Sequence, residues 1–93
     1  MIYADFLEEP EFGALVAMLK AHYSDVRFGQ QGDSWIWVES EDMKVEIDTF
    51  SAMRFQVKSP SKSHRLVVQI LALLQQHYKL YIYPESELEA HED

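Results

Sequence analysis

Ser34-Trp35-Ile36-Trp37-Val38-Glu39-Ser40-Glu41-Asp42-Met43-Lys44-Val45-Glu46-Ile47-Asp48 reads as two strands joined by a two-residue turn. Directly opposed residues of an antiparallel pair share a face, so a proposed turn can be tested against the apolar pattern. Turning at Glu41-Asp42 sets Ser40 against Met43, Val38 against Val45 and Ile36 against Ile47, which makes one face wholly apolar beyond the turn. The same register sets Glu39 against Lys44, Trp37 against Glu46 and Trp35 against Asp48. Both tryptophans are therefore expected on the outer face, among charges.

Working outward, strands are expected at Asp25–Gly29, Ser34–Ser40, Met43–Phe50 and Met53–Lys58, with Gln30-Gln31-Gly32-Asp33 as a turn. In the last two, Met43, Val45, Ile47 and Met53, Phe55, Val57 face one way, with polar residues opposite. That alternation belongs to a sheet covered on one face only. A two-residue turn at Ser51-Ala52 would oppose Ile47 to Gln56 and mix the faces. A three-residue loop or a bulge is expected instead, bringing Asp48 near Arg54 or Gln56. Arg27 is expected beside Trp35, where it could stack on the ring.

The first helix is expected to start near Glu8-Glu9-Pro10, because proline suits a first turn and the glutamates 8, 9 and 11 complement the helix dipole. Phe12, Leu15, Val16, Leu19 and Tyr23 recur at helical spacing and form its buried stripe. A second helix is expected from Ser59-Pro60, a capping serine followed by proline. Its wide apolar face holds Leu66, Val67, Ile70, Leu71, Leu73 and Leu74. Lys79–Tyr83 reads as a last strand ended by Pro84. If Leu80 and Ile82 face the core, Tyr81 and Tyr83 join the outer face.

The fold class that follows is α+β: a single two-layer domain in the order α-β-β-β-β-α-β, an antiparallel sheet of about five strands with both helices on one face. Residues 1–84 form the domain, and 85–93 an acidic tail or a short helix around Ser86–Ala90.

The chain has 93 residues, 47% hydrophobic, with no cysteine and a formal net charge of −8. Disulfides and thiolate metal sites are thereby excluded, and a cytoplasmic address is the simplest expectation. No signal-peptide pattern opens the sequence, and no uncharged apolar run reaches the roughly 18 residues of a membrane span. The charge is segregated: residues 1–50 hold eleven acids and three bases, residues 51–84 five bases and no acid, and residues 85–93 five acids. The total disfavours nucleic acid and anionic membrane as partners.

The candidates for chemistry are few. Ser59, Ser61, Lys62, Ser63 and Arg65 surround a helix start, whose free amides could hold an anion; the other reading is an ordinary cap. His22 and His77 fall near helix C-termini, which favour a cationic side chain. If the helices align, the two imidazoles could meet near Asp25, although no metal-binding spacing supports it. No nucleophile elbow, phosphate loop or dinucleotide fingerprint occurs, so no catalytic residue, metal or cofactor is expected.

The function expected is a noncatalytic protein-interaction module. It would bind a protein partner, or close a homodimer, through the outer sheet face at Trp35, Trp37, Glu39, Glu46, Asp48, Tyr81 and Tyr83, with the acids selecting a basic partner. A small-ligand or catalytic domain, using the start of the second helix or the helix–sheet cleft, is the alternative.

Overall fold

A half-apolar hairpin needs further strands and a helical cover before it is stable. The computed structural model describes residues 1–87 and supplies both. Eight elements follow in order: β1 (Ile2–Phe6), α1 (Phe12–His22), β2 (Asp25–Gln31), β3 (Asp33–Ser40), β4 (Met43–Asp48), β5 (Gln56–Lys58), α2 (His64–Gln75) and β6 (Leu80–Glu87). The expected order α-β-β-β-β-α-β is intact, with β1 added before it. The six strands form one antiparallel sheet in the order β2-β3-β4-β5-β1-β6. Ile36, Val38, Val45, Ile47 and Val57 join residues of both helices in one buried core, so the helices lie on the same face.

β1 has no turn signals to announce it. It is fixed from outside, by lying between β5 and β6 and hydrogen-bonding to both. Ala4 and Phe6 are consequently among the most buried residues of the chain.

The β3–β4 register is the expected one, from Ser40 opposite Met43 to Trp35 opposite Asp48. Glu41 and Asp42 both take positive φ, 51° and 65°, as a two-residue hairpin turn with the right twist requires. The preceding turn is tighter than expected: β2 runs to Gln31, β3 starts at Asp33, and Gly32 alone turns the chain at φ 77°. The next connection is longer than the expected three residues. β5 is only Gln56–Lys58, so residues 49–55 form a loop, and Met53, expected to face the core, is fully exposed. The pairings Asp48 with Gln56 and Ile47 with Val57 still keep each residue on its face.

Both helices start later than expected. Glu9 precedes a proline and is driven out of helical geometry, so α1 begins at Phe12. Glu11 caps it by accepting from the N–H groups of Gly13 and Ala14 at 2.9 and 3.0 Å. α2 begins at His64 after a single 3-10 turn, Ser61–Ser63. Ser63 precedes it without capping it, because its hydroxyl accepts from the Lys44 N–H of β4 at 3.0 Å instead. β6 passes through Pro84 to Glu87, so Pro84 does not end the strand. It sits where the pairing with β1 slips between Ile82 and Glu87, on an edge strand that tolerates a missing N–H. The rest of the expected acidic tail, 88–93, lies outside the described residues, as does most of the short helix expected there.

Tyr23 and Tyr78 pack half-buried against the core, and burial pushes both phenols above the usual 10.0, with the charge of Glu11 adding to the effect at Tyr78. A raised folded-state value favours the protonated phenol. Its contribution to stability is complete below the unfolded-state value and is lost as pH rises through the folded one. Urea titrations from about pH 8 to about pH 11 should show a steeper alkaline loss of stability in the wild type than in Tyr78→Phe. Parallel curves would assign the alkaline transition to other groups.

Candidate functional site

The outer face of the sheet divides into two halves. One lies on β2 and β3 and is aromatic. Trp35 and Trp37 alternate along β3, their ring centroids 4.8 Å apart, and both side chains are half-buried. Trp35 covers Gly29 on β2, where a β-carbon would stand 2.7 Å from the indole nitrogen. Glycine is thus needed at this position for the ring to lie flat on the sheet. Arg27, expected beside Trp35, instead lies opposite Trp37 and pairs with Asp25 at 3.6 Å. The cation on the tryptophan pair comes from the other side: Lys44 Nζ stands 3.7 Å from the Trp37 ring centroid and 3.4 Å from Glu46. The Trp37 Nε1–H is shielded from solvent and meets no acceptor among the described residues.

The other half lies on β4, β5, β1 and β6 and is a buried polar layer. Lys58 and Asp48 form an ion pair of 2.6 Å with side chains only 1% and 3% exposed. Lys58 also donates to Ser51 Oγ at 3.1 Å, which draws the 49–55 loop onto this face, and Asp48 accepts from the Phe50 N–H. Beside this pair, Asp5 accepts from Arg54 Nε, Gln56 Nε2 and Tyr83 OH, each at 2.9 Å. The hydrogen bond and charge of Asp5 hold the Arg54 guanidinium even more firmly protonated than usual.

The seven residues expected to form the site therefore separate. Trp35, Trp37, Glu39 and Glu46 are half-buried neighbours on β3 and β4, and Tyr81 is about half exposed on β6. Asp48 is taken up by Lys58, and the Tyr83 hydroxyl by Asp5, 5.3 Å of ring separation from Tyr81. The tyrosines lie across the polar layer from the tryptophans, at the far end of the sheet order.

The helix-two candidates are used in packing. Ser59 and Ser63 are buried, the first donating to the Lys44 carbonyl and the second accepting from the Lys44 N–H. Arg65 pairs with Glu41 at 2.5 Å. Lys62 is exposed at a cleft that also holds Asp25, Glu39, Glu41 and Asp42, surroundings that repel an anion. The backbone of Ser61 lies in the 3-10 turn. His22 and His77 are both exposed, the His22 Nδ1–H donating to the Met18 carbonyl at 3.1 Å. Among the described residues no group of three or more His, Asp or Glu side chains could hold a metal ion.

Three apolar side chains escaped the sequence reading: Leu7, Phe50 and Met53 are 62%, 51% and 104% exposed around the 49–55 loop. Met53 falls in phase with Phe55 and Val57, so alternation alone assigned it inward. Only the shortness of β5 turned it out. Comparison of the chain with protein-family models, with curated proteins and with solved structures found no match.

Proposed function

We propose that this chain is a noncatalytic protein-interaction module that takes a protein partner on the outer face of its sheet. The observation that carries the reading is the tryptophan pair, two large rings in contact and only partly buried, with Glu39 and Glu46 beside them. Aromatic anchors ringed by charge supply most of the energy in protein interfaces. The acidic neighbours and the net charge of −8 favour a basic partner and oppose a phosphate backbone. Asp48 lies opposite Trp35 in the β3–β4 ladder and is taken up by Lys58, while Tyr83 is held by Asp5 at the far side of the sheet. The loop that carries the exposed Phe50 and Met53 reaches the same face through Ser51, which accepts from Lys58. No helix among the described residues is long and apolar enough to cross a membrane. A chain without cysteine suits a reducing compartment, and we propose the cytoplasm. The anion-binding alternative is weakened by the commitment of Ser59 and Ser63 to Lys44.

The test is affinity capture with the wild type, the Trp35→Ala/Trp37→Ala double variant and Val68→Ala, which alters an exposed site on α2. Folding of each is verified by circular dichroism. Partners retained by wild type and Val68→Ala but lost from the folded double variant are expected. Identical capture by all three, or none by the wild type, ends the reading.

A further inference from the structure

β2 is an edge strand, and its outer side is open. Ser34 of β3 donates to Thr49 Oγ1 and accepts from the Thr49 N–H, so it faces the β4 side. Backbone direction alternates along a strand, so Asp33, Trp35, Trp37 and Glu39 face β2 and bond Gln31, Gly29, Arg27 and Asp25. Val26, Phe28 and Gln30 must then turn their N–H and C=O groups away from the sheet. Among the described residues nothing meets them. The ladder from Asp25 to Gln31 is unbroken, with neither proline nor bulge. The opposite edge differs: β6 carries Pro84 and a register slip, two devices that discourage pairing.

We propose that β2 is a self-association edge, which pairs antiparallel with β2 of a second copy about a two-fold axis through Phe28 and joins two sheets into one. In that register Phe28 meets its own copy, and Val26 meets Gln30 of the second copy, so all the outward backbone groups are used. Every pair lies on matching faces.

Two observations point to a second copy as the occupant. First, Arg27 is set beside Gly29 of the second copy, a position with no side chain of its own and covered by Trp35. The exposed guanidinium of each copy thereby reaches the indole of the other, on both sides of the axis. Second, the strand carries one acid and one base, Asp25 and Arg27, in a chain whose net charge is −8. Within β2 no like charges are opposed in this register, and the one local repulsion comes from α1, whose Lys20 ammonium stands 4.6 Å from the Phe28 ring centroid near the axis. Long-range repulsion between the two acidic bodies remains, so the dimer should strengthen with salt.

The chain contains no cysteine, so an introduced one reports register directly. Under mild oxidation, Phe28→Cys is expected to form a disulfide-linked dimer, since two α-carbons opposed on the axis stand about 5.5 Å apart. Val26→Cys, four residues from its equivalent, should not form one. The double variant Val26→Cys/Gln30→Cys should cross-link again and serves if Phe28→Cys does not fold. In sedimentation, the wild type should show a concentration-dependent dimer that gains with salt. Phe28→Lys should weaken it about tenfold or more by opposing like charges across the axis. A wild type that sediments as a monomer at every concentration overturns the proposal. So does cross-linking of Val26→Cys as fast as Phe28→Cys, which would mean another register or another surface.

Discussion

Asp48→Ala is expected to destabilise the fold by about 3–5 kcal/mol, because it breaks a buried ion pair and removes the carboxylate 2.6 Å from the Lys58 ammonium. Both side chains are almost wholly excluded from water, at 1% and 3% exposure, and the pair distance is 2.6 Å. Neither group can regain solvent without disturbing β5, which lies between β4 and β1. The Phe50 N–H loses its acceptor in the same substitution. Removing both charges is a different experiment. A paired substitution, Asp48→Leu with Lys58→Met, should recover most of the loss, since the desolvation of two ions disappears with their attraction. Urea denaturation of the single and double variants measures both quantities. A single variant within about 1 kcal/mol of wild type would mean that the pair with Asp48 is not what offsets the burial of Lys58.

Leu19→Ala is expected to cost about 2–5 kcal/mol through the cavity it leaves. Leu19 is wholly buried and, with Leu15 and Val16, forms the small buried side of the eleven-residue α1. Phe12 and Tyr23 pack only partly, so they cannot collapse fully into the space. Against a typical domain stability of about 5–15 kcal/mol, a loss of this size would be plain in the urea midpoint. Val68→Ala on α2, 52% exposed, should change the midpoint very little. A Leu19→Ala loss no larger than that of Val68→Ala would show that the buried stripe of α1 contributes little to stability.

The two helices, the β3–β4 hairpin and its register, and the outward position of Trp35 and Trp37 were all legible in the chain. Each depends on a local period or on a turn whose two sides must agree in face, and Val38 opposite Val45 is decided within eight residues. The candidate site was legible only as a list of outward-facing residues. Asp48 and Glu46 have the same phase on β4, yet Asp48 is buried against Lys58 while Glu46 stays near the surface. Phase decides the face of a sheet, but what lies over that face is set by long-range packing, here by the 49–55 loop drawn in through Ser51.

The outer face is therefore sharper than alternation made it. From the sequence alone follow the α+β class, the helical stripes, the acidic excess and the tryptophans among charges, because hydrophobic period and charge are properties of neighbouring residues. Tertiary structure alone decided that Ile2-Tyr3-Ala4-Asp5-Phe6 supplies an inner strand, that Asp5, Asp48 and Lys58 lie in a buried polar layer, and that β2 is left with an open side. These depend on which distant segments meet. The order of strands in a sheet is a global solution of packing and hydrogen bonding, and no short stretch of chain contains it.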